Sequence, residues 1–278
     1  MGASLGIVSI KGGVGKTTVA SSIAAGLANQ CKKKVLLVDA NYSAPNIGLH
    51  MDIIEPGRTI HEVLAGKARI SSAIHRRYGV DVIPGSYIYD KPFNSLKLRN
   101  RLARIQDSYD FLIIDSSPNL NEELISVILA SDYLFLVTTP DYPTLSCSLR
   151  LIRFARQYGS YIAGVILNKT KDSRYELSVR EIEETTGIPV VAKIPEEKIH
   201  KKALYYRIPS VLYKKNSKFS KEILGLNEVL TGMPHKKGIF ESLFSFPLRR
   251  EEINRTLLKE YFYSKNLFNK NGKRMHFL

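Results

Sequence analysis

The chain has 278 residues, is 44% hydrophobic, and carries a formal net charge of +15. Its length accommodates one large α/β domain plus an appendage, and its apolar content excludes a disordered or fibrous chain. A charge this positive argues for an anionic partner, either nucleic acid or an acidic membrane surface. Short runs rich in Ile, Val and Leu predict strands at 5–10, 34–39, 80–84, 111–115, 133–138, 161–168 and 190–194. Most carry apolar residues on both faces, as strands buried in a parallel sheet do. Between them, helical patterns occupy 17–29, 121–130, 145–158, 175–186 and 218–230, the second opening on an Asn cap and an acidic first turn. Alternation of this kind predicts an α/β fold with a doubly wound, mostly parallel sheet flanked by helices. Ligands of such sheets sit beyond the carboxyl ends of the strands, so the segments after Ile10, Asp39, Asp115, Asn168 and Ile194 become the places to look.

Several classes drop out. No apolar run approaches the roughly 18 residues of a membrane span. The first apolar segment leads directly into a glycine loop, unlike a signal peptide, and Gly6 stands where a myristoylation signal needs Ser or Thr. Cys31 and Cys147 form no C-x-x-C pair, so an iron–sulfur site or a disulfide framework is not expected and a reducing cytosol fits. The six histidines show no metal-ligand spacing. No internal repeat or low-complexity tract is visible.

The segment "SIKGGVGKTTVAS" (9–21) places Gly12, Gly13, Val14 and Gly15 between a predicted strand and a predicted helix. Backbone N–H groups freed by such glycines turn toward an anion, and the helix amino terminus adds favourable partial charge. Lys16 would reach the β- and γ-phosphates of a nucleotide, and the Thr17 hydroxyl would bind Mg²⁺. The ordinary phosphate loop has Gly five residues before Gly15. Here that position is Ile10, and a second lysine, Lys11, follows it.

That departure makes "KGGVGKTT" resemble the deviant Walker A box of the ParA/MinD family of ATPases. "VLLVDANYSAPNIGL" (35–49) and "YDFLIIDSSPN" (109–119) resemble the family's two switch segments, and "GVILNKT" (164–170) and "VVAKIPEE" (190–197) its adenine-side segments. The motifs occur in family order over residues 4–232, and the chain resembles the MinD-like branch in particular. The resemblance implies a P-loop NTPase fold with ATP and Mg²⁺ as cofactors. It implies that Lys11 acts in trans, on the phosphates of a partner in an ATP-dependent homodimer. It further implies that Thr17 ligates Mg²⁺ with Thr18 beside it on the phosphates. Asp39 and Asp115 would hold magnesium waters, Asn168 would hydrogen-bond adenine, and the backbone of Pro195, Glu196 and Glu197 would line the base. Asn46 would help order the dimer face. One position departs from the family: its first switch reads D-x-D, but here the segment is Asp39-Ala40-Asn41. Asn41 has an acceptor oxygen but no basicity. It can orient water as an amide does in small GTPases, so hydrolysis is expected to be slow.

The composition shifts near residue 232. Residues 1–232 are expected to form the ATPase domain, and 233–278 a tail of net charge +6. Within the tail, "KKGIFESLFSFPLRR" places Ile239, Phe240, Leu243 and Phe244 at helical spacing between basic residues. Residues 236–248 therefore read as an amphipathic helix suited to an anionic membrane surface, resembling the targeting helix of MinD. A docked helix is the competing reading. A second basic stretch, 198–221, has eight Lys/Arg and no acid, with Tyr205, Tyr206, Tyr213 and Phe219 interleaved. It reads equally as a non-specific nucleic-acid or lipid-phosphate surface and as a solvated basic face. The expectation is a cytoplasmic ATPase, reversibly membrane-associated, that positions division, motility or chemosensory machinery with an activating or cargo protein. The alternatives are a ParA-like, DNA-binding partition ATPase and a slow or non-hydrolysing ATP-switched scaffold.

Overall fold

The computed structural model describes residues 2–171, 173–233 and 249–264. Its centre is an eight-stranded sheet in the order β3-β4-β2-β5-β1-β6-β7-β8. The strands are β1 (Ala3–Val8), β2 (Val35–Ala40), β3 (His75–Arg77), β4 (Val80–Ile83), β5 (Phe111–Ser116), β6 (Tyr133–Thr138), β7 (Ile162–Thr170) and β8 (Val190–Pro195). All neighbours pair in parallel except β3, which runs antiparallel to β4 at the edge. The seven strands predicted from sequence are all present. The edge strand β3 was not predicted, because three residues reading His-Arg-Arg carry no apolar alternation.

Helices cover both faces, and side-chain alternation along the strands explains how. Val35 and Leu37 of β2 join one apolar layer, whereas Leu36 and Val38 join the other. The first layer packs under α1 (Lys16–Asn29), α2 (Ile47–His50), α8 (Ile199–Tyr205), α9 (Ser210–Tyr213) and α10 (Lys218–Thr231). The second packs under α3 (Ile60–Leu64), α4 (Leu98–Leu102), α5 (Glu122–Ala130), α6 (Tyr142–Gln157) and α7 (Val179–Thr186). Caps fix several boundaries. Asn121 and Asp141 accept the N–H groups of Leu124 and Thr144, and Ser178 forms a capping box with Glu181. Gly187 and Gly232 end α7 and α10 in the left-handed conformation.

Beyond the boundary expected at residue 232, the chain returns to the body. Helix α11 (Arg250–Ser264) lies along the edge strand β8. Asn254 Nδ2 and Arg255 Nε donate to the carbonyls of Val190 and Val191 at 2.8 and 2.6 Å, so α11 blunts a sheet edge that would otherwise be open. Leu258 and Phe262 enter the first apolar layer, with the Phe262 ring edge-on to Tyr133 at 4.8 Å. Arg255 also pairs with buried Glu222 of α10. That approach needs glycine at 225, where a Cβ would sit 2.4 Å from Arg255 Nη1. The amphipathic segment read at 236–248 lies outside the described residues.

Candidate functional site

Parallel pairing brings the carboxyl ends of β1, β2, β5 and β7 to one edge, and the candidate residues collect there. Asp39 ends β2 directly opposite Asp115 on β5. The loop after β1 turns at Gly13 and Gly15, both with positive φ, and delivers Lys16 as the first residue of α1. Gly15 also lies against β7: a Cβ there would meet Asn168 Nδ2 at 2.5 Å. Asn168 donates from Nδ2 to the Val14 carbonyl at 2.7 Å. Its neighbour Lys169, itself at positive φ, donates from Nζ to the Gly13 carbonyl at 2.7 Å. The end of β7 thus fastens the carbonyls of the loop, leaving its N–H groups as the groups available to an anion. The sequence reading missed Lys169; its place directly after Asn168, at the end of a predicted strand, was the available signal.

Below the loop, Thr17 Oγ1 donates to Asp115 Oδ2 at 2.7 Å, which leaves the hydroxyl lone pairs free for a cation. Asp115 Oδ1 is buried without a hydrogen-bond partner. Burial raises the Asp115 pKa to about 6 against the opposing effects of Thr17 and Lys16. Burial and the neighbouring Asp115 raise Asp39 to about 8. Lys16 is buried as well, and its pKa is lowered by desolvation despite Asp115. Two buried carboxyl groups thus adjoin each other, with Lys16 as the cation beside Asp115, an arrangement whose ionised form a divalent cation would favour. Among the described residues no group of three or more His, Cys, Asp or Glu forms a self-contained metal site.

The remaining candidates occupy the rim. Both Asp39 oxygens are used by the switch backbone: Oδ1 accepts from Asn41 N–H at 3.2 Å, and Oδ2 from Asn46 and Ile47 N–H at 2.9 Å each. Asp39 thereby shapes the loop from 40 to 47. Asn41 Nδ2 donates to the Ala44 carbonyl at 2.5 Å, and its Oδ1 is buried without a partner. Asn46 caps the Ala44 carbonyl from the other side at 2.8 Å. Ser43 donates to Glu123 on α5, tying the first switch to the helix that follows the second. Glu123 was absent from the sequence reading and lies beyond the quoted switch motif.

Lys11, Gly12 and Gly13 are exposed, whereas Val14 is buried. Thr18 is half-buried beside Thr17. Glu196 N–H bonds to the Thr170 carbonyl at 2.9 Å, which holds the Pro195–Glu196 turn against β7. Glu197 points elsewhere: its carboxylate accepts from Phe219 N–H at 2.7 Å at the start of α10. The basic stretch 198–221 divides on inspection. All eight cations are exposed, as are Tyr205 and Tyr206. Phe219 is not part of that surface; it is fully buried, 4.5 Å from the His200 ring, because α10 turns it into the core.

Residues 3–161 match the family model described as AAA domain. An uncharacterised ATP-binding protein of Methanocaldococcus jannaschii is 32% identical over 88% of this chain and 94% of its own length. The chromosome-partitioning ATPase Soj of Treponema pallidum is 30% identical over 67% of this chain and 78% of Soj. The septum site-determining protein MinD of Pyrococcus horikoshii, solved with Mg-ADP, superposes with a TM-score of 0.76 at 29% identity over 82% of this chain and 95% of that one. The chain belongs to the MinD/ParA family of P-loop ATPases. In this MinD/ParA ATPase the loop, the Thr17–Asp115 pair and the Asp39 switch lie together at one edge of the sheet, while α11 lies along β8 and the basic stretch 198–221 reaches back over α1 to the Asp52 turn, where Arg207 pairs with Asp52.

Proposed function

We propose that this MinD/ParA ATPase binds ATP with Mg²⁺, dimerises in the ATP state and positions cellular machinery from a membrane surface. The observation that carries the dimer is the contrast between its two loop lysines: Lys16 is buried beside Asp115, and Lys11 is exposed on the same loop. A subunit that supplies its own phosphate-binding cation leaves the second available to a facing subunit, where it would couple assembly to nucleotide state. Thr17 and Asp115 would hold Mg²⁺, which neutralises charge on the phosphates when bound. With Nδ2 committed to Val14, Asn168 would accept from the adenine amine through Oδ1. The unpartnered Asn41 Oδ1 would orient water without removing its proton, which favours slow turnover.

Lys16→Ala is expected to abolish ATP binding. Lys11→Ala is expected to keep binding and lose the ATP dimer, measured by light scattering. A Lys11→Ala protein that still dimerises with ATP would remove the trans-lysine reading. For the membrane, residues 236–248 supply the amphipathic character, and the chain on either side returns to the body at Thr231 and Arg250. Nucleic-acid binding is the second reading, supported by eight exposed cations beside exposed Tyr205 and Tyr206. Sedimentation with anionic vesicles and a DNA mobility shift, each with ATP and with ADP, discriminate between the two.

A further inference from the structure

On the face of the sheet opposite α1, a surface pocket of about 450 Å³ opens between the end of α3 and the outer side of α4. Gly66, Lys67, Arg69 and Ile70 line it from one side, and Arg101 and Arg104 from the other. Four cations converge with no carboxylate in the lining. Glu62, one turn before Gly66, is engaged by Arg58 and Thr59. Among the described residues none of the four cations has a side-chain hydrogen bond or an ion pair, and Arg101 Nε is buried without a partner. Three of the four cations, Lys67, Arg69 and Arg104, face solvent, while Arg101 is partly buried and its Nε is left unsatisfied, a donor that costs stability unless an acceptor is bound. Ile70 is buried in the second apolar layer, and Leu98 and Leu102 of α4 pack into the same layer, so the cations stand on a fixed floor.

We infer that this pocket is a second anion site, distinct from the nucleotide loop, for a phosphate-bearing ligand of small-molecule size. Three guanidinium groups and one ammonium suit phosphate oxygens, since the planar guanidinium fork pairs with them two at a time. The volume holds a di- or polyphosphate or a phosphorylated lipid headgroup. Both sources present the same chemistry at the pocket.

The test titrates inorganic pyrophosphate by calorimetry into protein preloaded with Mg-ADP, so that the loop is already occupied. The parent is expected to bind at one further site. Arg101→Gln/Arg104→Gln and, separately, the more exposed Lys67→Gln/Arg69→Gln are expected to weaken that binding by at least about tenfold. Arg153→Gln/Arg156→Gln removes the same charge from the exposed side of α6 and should leave it unchanged. Unaltered ADP affinity in each variant reports a folded protein. The lipid arm sediments the same set, in a Phe240→Glu/Phe244→Glu background, with zwitterionic vesicles with and without phosphatidic acid. Pocket-dependent pyrophosphate binding without pocket-dependent sedimentation identifies a free phosphate ligand, and pocket-dependent sedimentation, with or without pyrophosphate binding, identifies a headgroup. If neither occurs in the parent, or the α6 control variant loses as much binding as the pocket variants, the inference is overturned.

Discussion

Asn41 is held by the loop it belongs to. Its amide nitrogen is committed to the Ala44 carbonyl and its backbone N–H to Asp39, so only an unpartnered oxygen remains for chemistry. Asn41→Asp would restore the family carboxylate but set it against the Ala44 carbonyl. General-base assistance is worth about 10²–10⁴ in rate where it operates. Single-turnover hydrolysis by Asn41→Asp is therefore expected to be faster than the parent's, with a lower thermal midpoint for the nucleotide-free protein. Equal rates would show that the amide suffices or that another residue orients the water. His61 supplies a pH prediction. Ser86 N–H donates to its Nδ1, so Nε2 carries the hydrogen that reaches the Tyr42 carbonyl, both at 3.0 Å. The ring is buried against Tyr42, Tyr89 and Phe93, and burial lowers its pKa. A depressed histidine leaves stability intact above its unfolded value near 6.5 and loses it as pH falls below that. The raised carboxyls of Asp39 and Asp115 act in the opposite sense over the same range in both proteins, so the check is the difference: between pH 7 and pH 5 the parent's urea midpoint should lose more, or gain less, than that of His61→Gln.

At the scale of elements, α11 is the part whose removal tells most. Glu222 and Arg255 are both nearly inaccessible, and Arg249 reaches Glu222 at 2.7 Å from a half-exposed position. Breaking a buried pair from one side leaves an uncompensated charge and costs about 3–5 kcal/mol. Arg249 screens part of that, so Arg255→Met is expected near the lower end, read from urea unfolding. Glu222→Gln/Arg255→Met should be milder than Arg255→Met alone, because no buried charge is then orphaned. A double variant as unstable as the single would place the effect in the lost Val191 contact instead.

For the whole molecule, charge and assembly act together. On the membrane reading proposed above, an amphipathic segment carrying Ile239, Phe240, Leu243 and Phe244 would gain a few kcal/mol at most, since full burial of one such side chain is worth about 1.5–3 kcal/mol and interfacial burial is partial. Two copies on the proposed dimer would raise avidity by about 10²–10⁴. Vesicle binding is therefore expected to need ATP and anionic lipid, to weaken with salt, and to be lost in Phe240→Glu/Phe244→Glu. Binding that survives those changes would show that these side chains are not the anchor.

The sequence by itself determined the strand ladder and the loop chemistry. Short β-branched-rich runs with apolar residues on both faces, alternating with helical patterns, point to a sheet covered on both faces, and the spacing from Ile10 to Thr18 marks a loop between strand and helix. It also exposed the Asn41 departure, because a single residue type is read directly. Tertiary structure decided what depends on distant partners. Asp39 faces Asp115 only through strand register, and Lys169 and Asn168 reach the loop only because β7 ends beside it. Phe219 looked like part of a basic surface until α10 turned it inward. Helix α11 packs on β8 through Asn254 and Arg255 and on the first apolar layer through Leu258 and Phe262, a fit that no local pattern encodes. The basic pocket joins residues 66–70 to 101–104 across more than 30 positions. Local periodicity is written into neighbouring residues, whereas which charges meet, and which remain unpaired, is fixed only when the chain closes on itself.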